Sequence, residues 1–228
     1  MESGKEDRYS RPLEPDLVQD PDELAHREAR NGLRQFDAVI ELVDHFTRPE
    51  YPFRLRISQI LGLHRIALEG ISRYAGNFRP ADITIAGSKH KPPGAHLVPE
   101  LVEGLCDYVN EKWEKSAVHL ASYVLWRLNW IHPFTDGNGR TARAVSYAVL
   151  CVRLGYRLPG TTTIPELIST NKTPYYEALE AADASWKEDE ANLRVLEALV
   201  SELLAAQLMT VHDAATGKGV APTRPKLH

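Results

Sequence analysis

The chain has 228 residues, 43% of them hydrophobic and 25% charged, which is enough to bury one sizeable core in an ordinary soluble composition. Its formal net charge of -4 argues against a protein that works through a wide basic surface, so nucleic acid is excluded as a first partner. The first residues lack the apolar centre of a signal peptide and no run has the length of a membrane span; the expected setting is cytoplasmic, with no membrane partner. Cys106 and Cys151 each fall in an apolar helical pattern and read as buried free thiols.

Residues 1–19 are polar and proline-rich and read as an extended or disordered N-terminal segment. Asp20, Pro21 and Glu23 then supply an N-cap, an N1 proline and an N3 acid. A first helix follows, with Leu24, Leu33, Phe36, Val39, Ile40, Val43 and Phe46 at roughly helical spacing until Pro49 and Pro52 break the chain. Residues 20–54 thus form an N-terminal helical extension. From Leu55, the positions Ile57, Ile60, Leu61, His64, Ala67 and Leu68 define a second helix with His64 on its apolar face, read as a satisfied core or boundary histidine. Between residues 77 and 93 the period changes: Ile83 and Ile85 alternate with Thr84 and Ala86, Gly87 and Ser88 supply a turn, and two prolines follow. This stretch predicts a small β-hairpin, either a docking edge for another chain or a plain surface turn.

Pro99 suits the N1 position of a helix to about Trp113, and the wide apolar stripe from Ala117 to Ile131 predicts a central helix that delivers His132 at its end. Another helix runs through Val145, Val149 and Val152 to Gly155, followed by a short one within TTTIPELIST, residues 161–170, and one capped by Thr173 and Pro174. Leu193, Leu196, Leu199, Val200 and Leu203 mark a last helix in 187–210, with 211–228 expected as a disordered tail. The fold class expected is a single all-α domain with one β-hairpin flap.

The chemistry concentrates in HPFTDGNGRTAR, residues 132–143, which joins the two central helices. Gly137, Asn138 and Gly139 let successive N–H groups converge just before a helix N-terminus, an anion nest reinforced by the helix dipole. Arg140 and Arg143, three apart in the first turn, oppose that dipole at a cost of ~0.3 to 1 kcal/mol each, and a bound polyphosphate reverses the sign. Asp136 offers a hard oxygen that suits Mg²⁺ shared with phosphate and water. His132 is placed to take a proton from an incoming hydroxyl, and Phe134 reads as an apolar anchor of the loop. GNGRTA also satisfies the dinucleotide pattern G-x-G-x-x-A, but a helix rather than a strand precedes it.

These twelve residues resemble the signature of the Fic family, His-Pro-Phe-x-Asp-Gly-Asn-Gly-Arg-x-x-Arg, at every position. The resemblance extends over about 55–186, including the PPGAHLVPEL and TPYYEAL stretches, and implies a helical Fic core with a flap. It implies transfer of AMP from ATP, with Mg²⁺, to a Tyr, Ser or Thr hydroxyl of a target protein, in a chain that can act alone or as a homodimer. His132 would be the base, Phe134 the loop anchor and Asp136 the metal ligand. Gly137, Asn138, Gly139, Arg140 and Arg143 would hold the phosphates, and Ile83, Thr84, Ile85 and Ala86 would dock the target. Tyr175 and Tyr176 resemble tyrosines that lie near the nucleotide, and Asp183 stands where relatives often carry Asn; an aspartate accepts from the adenine amino group but does not donate to a ring nitrogen. RIALEG resembles an inhibitory Ser/Thr-x-x-x-Glu-Gly/Asn motif, with Arg65 departing from the pattern, which implies Glu69 as an inhibitory partner of Arg143. Three alternatives remain open on these residues: a related phosphate-group transferase, an enzyme that removes AMP with Glu69 orienting water, and a nucleotide-sensing module without turnover.

Overall fold

The structure, a computed structural model, describes residues 17–186 and 191–216. Among them are eight helices: α1 (Pro21–Phe46), α2 (Ile57–Leu68), α3 (Val98–Glu111), α4 (Ala117–Ile131), α5 (Asn138–Leu154), α6 (Ile164–Thr170), α7 (Thr173–Ser185) and α8 (Arg194–Ala215), with a short 3-10 turn at Ala95–Leu97. Local signals set the ends. The Asp20 carboxylate accepts from the N–H groups of Asp22 and Glu23, both at 2.9 Å, and starts α1. Gly155, at φ +85°, ends α5 with its N–H on the carbonyls of Cys151 and Val152.

The central pair is α4 and α5, with α1 and α2 against α5, α3 and α8 against α4, and α7 against α8. Helix α4 is apolar around most of its circumference, so Leu120, Val124, Leu125, Leu128 and Ile131 are all buried, each fully buried leucine contributing roughly 1.5–3 kcal/mol. This burial fixes where α4 ends and α5 begins, and so where residues 132–143 lie.

Three expectations are corrected. The hairpin over residues 83–86 does not form: among the described residues there is no strand, and Ile85 contributes only an isolated bridge before the turn at Ala86 and Gly87. Pro92 and Pro93 supply no N–H for a ladder, and the stretch is held instead by bonds to the helical body, among them His90 Nε2 to the carbonyl of Trp130 at 2.7 Å. Helix α8 continues to Ala215, past the expected end at residue 210; residues 217–228, like 1–16, lie outside the described residues. Leu33, counted on the inner face of α1, is 70% exposed.

Candidate active site

His132 caps α4 in the left-handed conformation, φ 51° and ψ 59°, uncommon for a residue with a side chain. Its N–H donates to Leu128 O at 3.0 Å, and its Nδ1–H to Asn129 O at 3.2 Å, which makes Nε2 the acceptor nitrogen of the neutral ring. The ring is buried, and burial pulls its pKa from 6.5 down to about 4 against the opposing pull of the Asn129 carbonyl. His132 is therefore neutral at pH 7.

The rest of the loop is stapled from within and from behind. Asn138 uses both ends of its amide on Phe134, accepting from its N–H at 2.9 Å and donating to its carbonyl at 2.8 Å. Its side chain thus braces the loop, and what it can offer an anion is backbone. Gly137 has φ +74°, and a Cβ there would overlap Leu68 Cδ2, so the close approach of α2 admits only glycine. Phe134 is buried, its ring stacked on that of His64 with centroids 3.6 Å apart and planes within 5°. Gly76 N–H donates to His64 Nδ1 at 3.0 Å, so Nε2 carries the proton and donates to Asp136 O, also at 3.0 Å. His64 is a satisfied core histidine, with one bond to the loop at Asp136 and the other to Gly76. Burial lowers its pKa to about 4, keeping the ring neutral.

At the start of α5, Arg140 donates to Asp136 Oδ2 at 2.7 Å and to Glu28 Oε1, from α1, at 2.9 Å. One cavity of about 490 Å³ is lined by Glu28, His132, Asp136, the Gly137–Asn138–Gly139 turn, Arg140 and Arg143 together with Trp126, Asn129, Tyr175, Tyr176 and Asp183, with the part-buried Ile85 at its rim. The Asp183 carboxylate accepts from the Trp126 indole at 2.8 Å, and Tyr175 OH accepts from Asn129 Nδ2 at 2.7 Å.

Glu69 is not among the residues around this cavity. It is the C-cap of α2, and its exposed carboxylate pairs with Arg34 of α1 at 2.5 Å, a bond that also lowers its pKa. Gly70 has φ +71° and its carbonyl accepts from Arg27 at 3.0 Å, while Asn31 donates to Glu69 O at 2.8 Å. The Glu-Gly pair is thus a helix stop that α1 reads, and the acids on Arg140 are Asp136 and, from α1, Glu28. Sequence reasoning passed over Glu28, Asn129, Trp126 and His90. Of these only Asn129, a polar residue inside the apolar stripe of α4, carried a visible signal.

The geometry defines the class: a helical domain in which a glycine-rich helix start and a buried neutral histidine share one cavity. Residues 54–150 match the Fic/DOC family, and the chain carries a Fic domain. It is similar to the protein adenylyltransferases Fic of Drosophila willistoni and Drosophila persimilis, each 33% identical over 132 residues. That match takes in 57% of this chain but spans only about a quarter of either relative, 25% and 24%. Among solved structures it resembles a Fic domain containing signaling protein from Bacteroides thetaiotaomicron, with a TM-score of 0.67 and 23% identity over 85% of this chain and 76% of that one. It also resembles Fic-1 (residues 134–508) from C. elegans, with a TM-score of 0.63 and 23% identity over 83% of this chain and 52% of that one. At these identities the structural likeness establishes the fold.

Proposed function

We propose that this chain transfers AMP from Mg–ATP to a hydroxyl side chain of a target protein and releases pyrophosphate. The observation that carries the reading is the neutral, tautomerically fixed His132 opening on the same cavity as the Gly137–Gly139 turn and its two arginines. The target hydroxyl attacks the α-phosphorus, its proton passes to His132 Nε2, and the bond from the α-phosphorus to the bridging oxygen breaks as pyrophosphate leaves. Backbone N–H groups of Gly137, Asn138 and Gly139 hold the phosphates at the start of α5, and Arg140 and Arg143 neutralise the outer ones. Asp136 fits Mg²⁺: it places one carboxylate beside the phosphate cradle, as suits an ion that arrives with a nucleotide and keeps water and phosphate oxygens as its other ligands. The ion would add charge neutralisation. Tyr175, Tyr176 and Asp183 line the same cavity and would receive the base, the Asp183 carboxylate accepting from the adenine amino group. Ile85 and its neighbours at the rim receive the target segment. The names of the Drosophila relatives support the same reading.

Regulation enters through Glu28. Its carboxylate occupies Arg140 where a phosphate oxygen would bind, so the described conformation is the restrained one and nucleotide must displace the acid. Intact-mass analysis with Mg–ATP tests both parts: Glu28→Gly protein gains one AMP mass or more, wild-type gains little, and the His132→Ala/Glu28→Gly double variant gains none. No added mass on the Glu28→Gly protein or on any lysate protein would sink the transfer reading. The same carboxylate supports a second reading, removal of AMP, with Glu28 orienting water. In that case wild-type protein strips a pre-adenylylated target and Glu28→Gly protein does not.

A further inference from the structure

Arg79 is the most deeply buried cation of the chain's described part and lies outside the cavity, yet it touches the proposed base. Its side chain is fully inaccessible, while Asp82, the carboxylate paired with it, stands 3.7 Å away and is 80% exposed. Burying a guanidinium is costly unless its donors are taken up, and desolvation accordingly lowers its pKa, although a guanidinium keeps its charge in a protein. The donors are taken up by three carbonyls from separate parts of the chain. Nε donates to His132 O at 2.8 Å and one terminal nitrogen to Ala81 O at 3.0 Å. The other terminal nitrogen donates to Pro93 O in a short bond. The Arg79 backbone N–H adds a bond to Pro133 O at 2.9 Å. Asp82 in turn fixes the far side of the segment by accepting from Ala95 N–H at 2.6 Å.

The three backbone carbonyls that accept from the Arg79 side chain have distinct meanings. Ala81 and Pro93 are the two roots of the segment that brings Ile85 and Ser88 to the cavity. His132 is the base itself, in a left-handed conformation that only a well-held peptide keeps. The planar fork of a guanidinium can bridge three acceptors at fixed angles, whereas a lysine ammonium is a compact charge on a flexible stem. One side chain therefore ties both ends of the rim segment to the peptide that orients the imidazole.

Resting on the transfer reading above, we propose that Arg79 is a positioning residue that couples the rim segment to His132, so that a target chain seated on residues 83–88 and the base that deprotonates it are held in register. Displacement of the segment moves the His132 carbonyl, and with it the ring. Arg79 touches neither nucleotide nor target.

The test uses Arg79→Lys and Arg79→Met in the full chain, both alone and on the Glu28→Gly background. The expected result is a fall in kcat for AMP transfer of at least about tenfold, the scale of a misplaced catalytic group, with KM for ATP unchanged. Nitrogen NMR of ¹⁵N-histidine protein at pH 7 supplies a reading independent of turnover. Wild-type His132 shows the Nδ1-protonated tautomer, and both variants show a tautomer mixture. Unchanged kcat together with an unchanged His132 signal in a folded variant overturns the proposal. A chain that no longer folds with either substitution assigns Arg79 to the core and overturns it too. If the parent protein transfers no AMP at all, the transfer reading fails, while the tautomer comparison still decides whether Arg79 orients His132.

Discussion

The two walls of the cavity are built on opposite plans. The loop at residues 132–138 is held from three directions, by Asn138 within it, by His64 behind it and by Arg79 beneath it. The rim segment at residues 83–88 has an isolated bridge at Ile85, a bond of 3.3 Å across its turn from Ser88 N–H to Ile85 O, and attachments near its roots and at His90. The proposed proton transfer and phosphate binding demand placement within a fraction of an ångström, which the many bonds of the tight wall suit. On the transfer reading, the other wall receives a foreign chain and does not need the same precision.

Substitutions on the two walls should differ accordingly. The largest effect is expected from His132→Ala, which should lower the transfer rate by roughly 10²- to 10⁴-fold while leaving nucleotide affinity close to wild-type, read by single-turnover labelling and titration with a fluorescent ATP analogue. Equal loss of affinity and rate would place His132 in binding instead. Acidification comes next, because His64 and His132 are both held at about 4 against 6.5 in the unfolded chain. Between those values the unfolded chain takes up protons that the folded chain refuses. Stability is therefore complete above pH 6.5 and falls as the pH drops towards 4, by up to roughly 3 kcal/mol for each histidine. Thermal melts at pH 7.0, about 5.5 and about 4.5 check this, and a Tm that does not fall would break the picture of a buried neutral pair. Gly137→Ala follows: with φ +74° and Leu68 behind it, the substitution should cost roughly 1–3 kcal/mol and lower Tm along with activity.

A smaller contrast separates two glutamates. Glu28→Gly should raise labelling several-fold, whereas Glu69→Ala, at an exposed pair with Arg34, should leave labelling and Tm near wild-type. A Glu69→Ala protein as active as Glu28→Gly would return the inhibitory role to α2. The mildest change is Ile85→Ala on the loose wall, expected to raise KM for a protein target by a few-fold with Tm unchanged.

Much of this was legible from the sequence, because it depends on nearest neighbours along the chain. The start of α1 at Asp20, the stripe of α4, the stop at Gly155 and the loop between α4 and α5 follow from period, caps and conformational freedom. The helical class and the position of His132 at the end of α4 came with them. Tertiary structure decided the questions that turn on which surfaces meet. A Glu-Gly pair at the end of α2 matches an inhibitory motif in letters, but α1 packs against that helix and claims Glu69 with Arg34, while the same packing brings Glu28 to Arg140. Period alone could not tell these acids apart; the packing of α1 on both α2 and α5 separates them. The alternating isoleucines failed for a related reason: a two-stranded ladder needs partners, and Arg79, His90 and two prolines drew the backbone of that segment onto the helices instead. His64 and Arg79, unremarkable in the chain's order, gained their roles because folding set them against the one loop whose geometry must not drift.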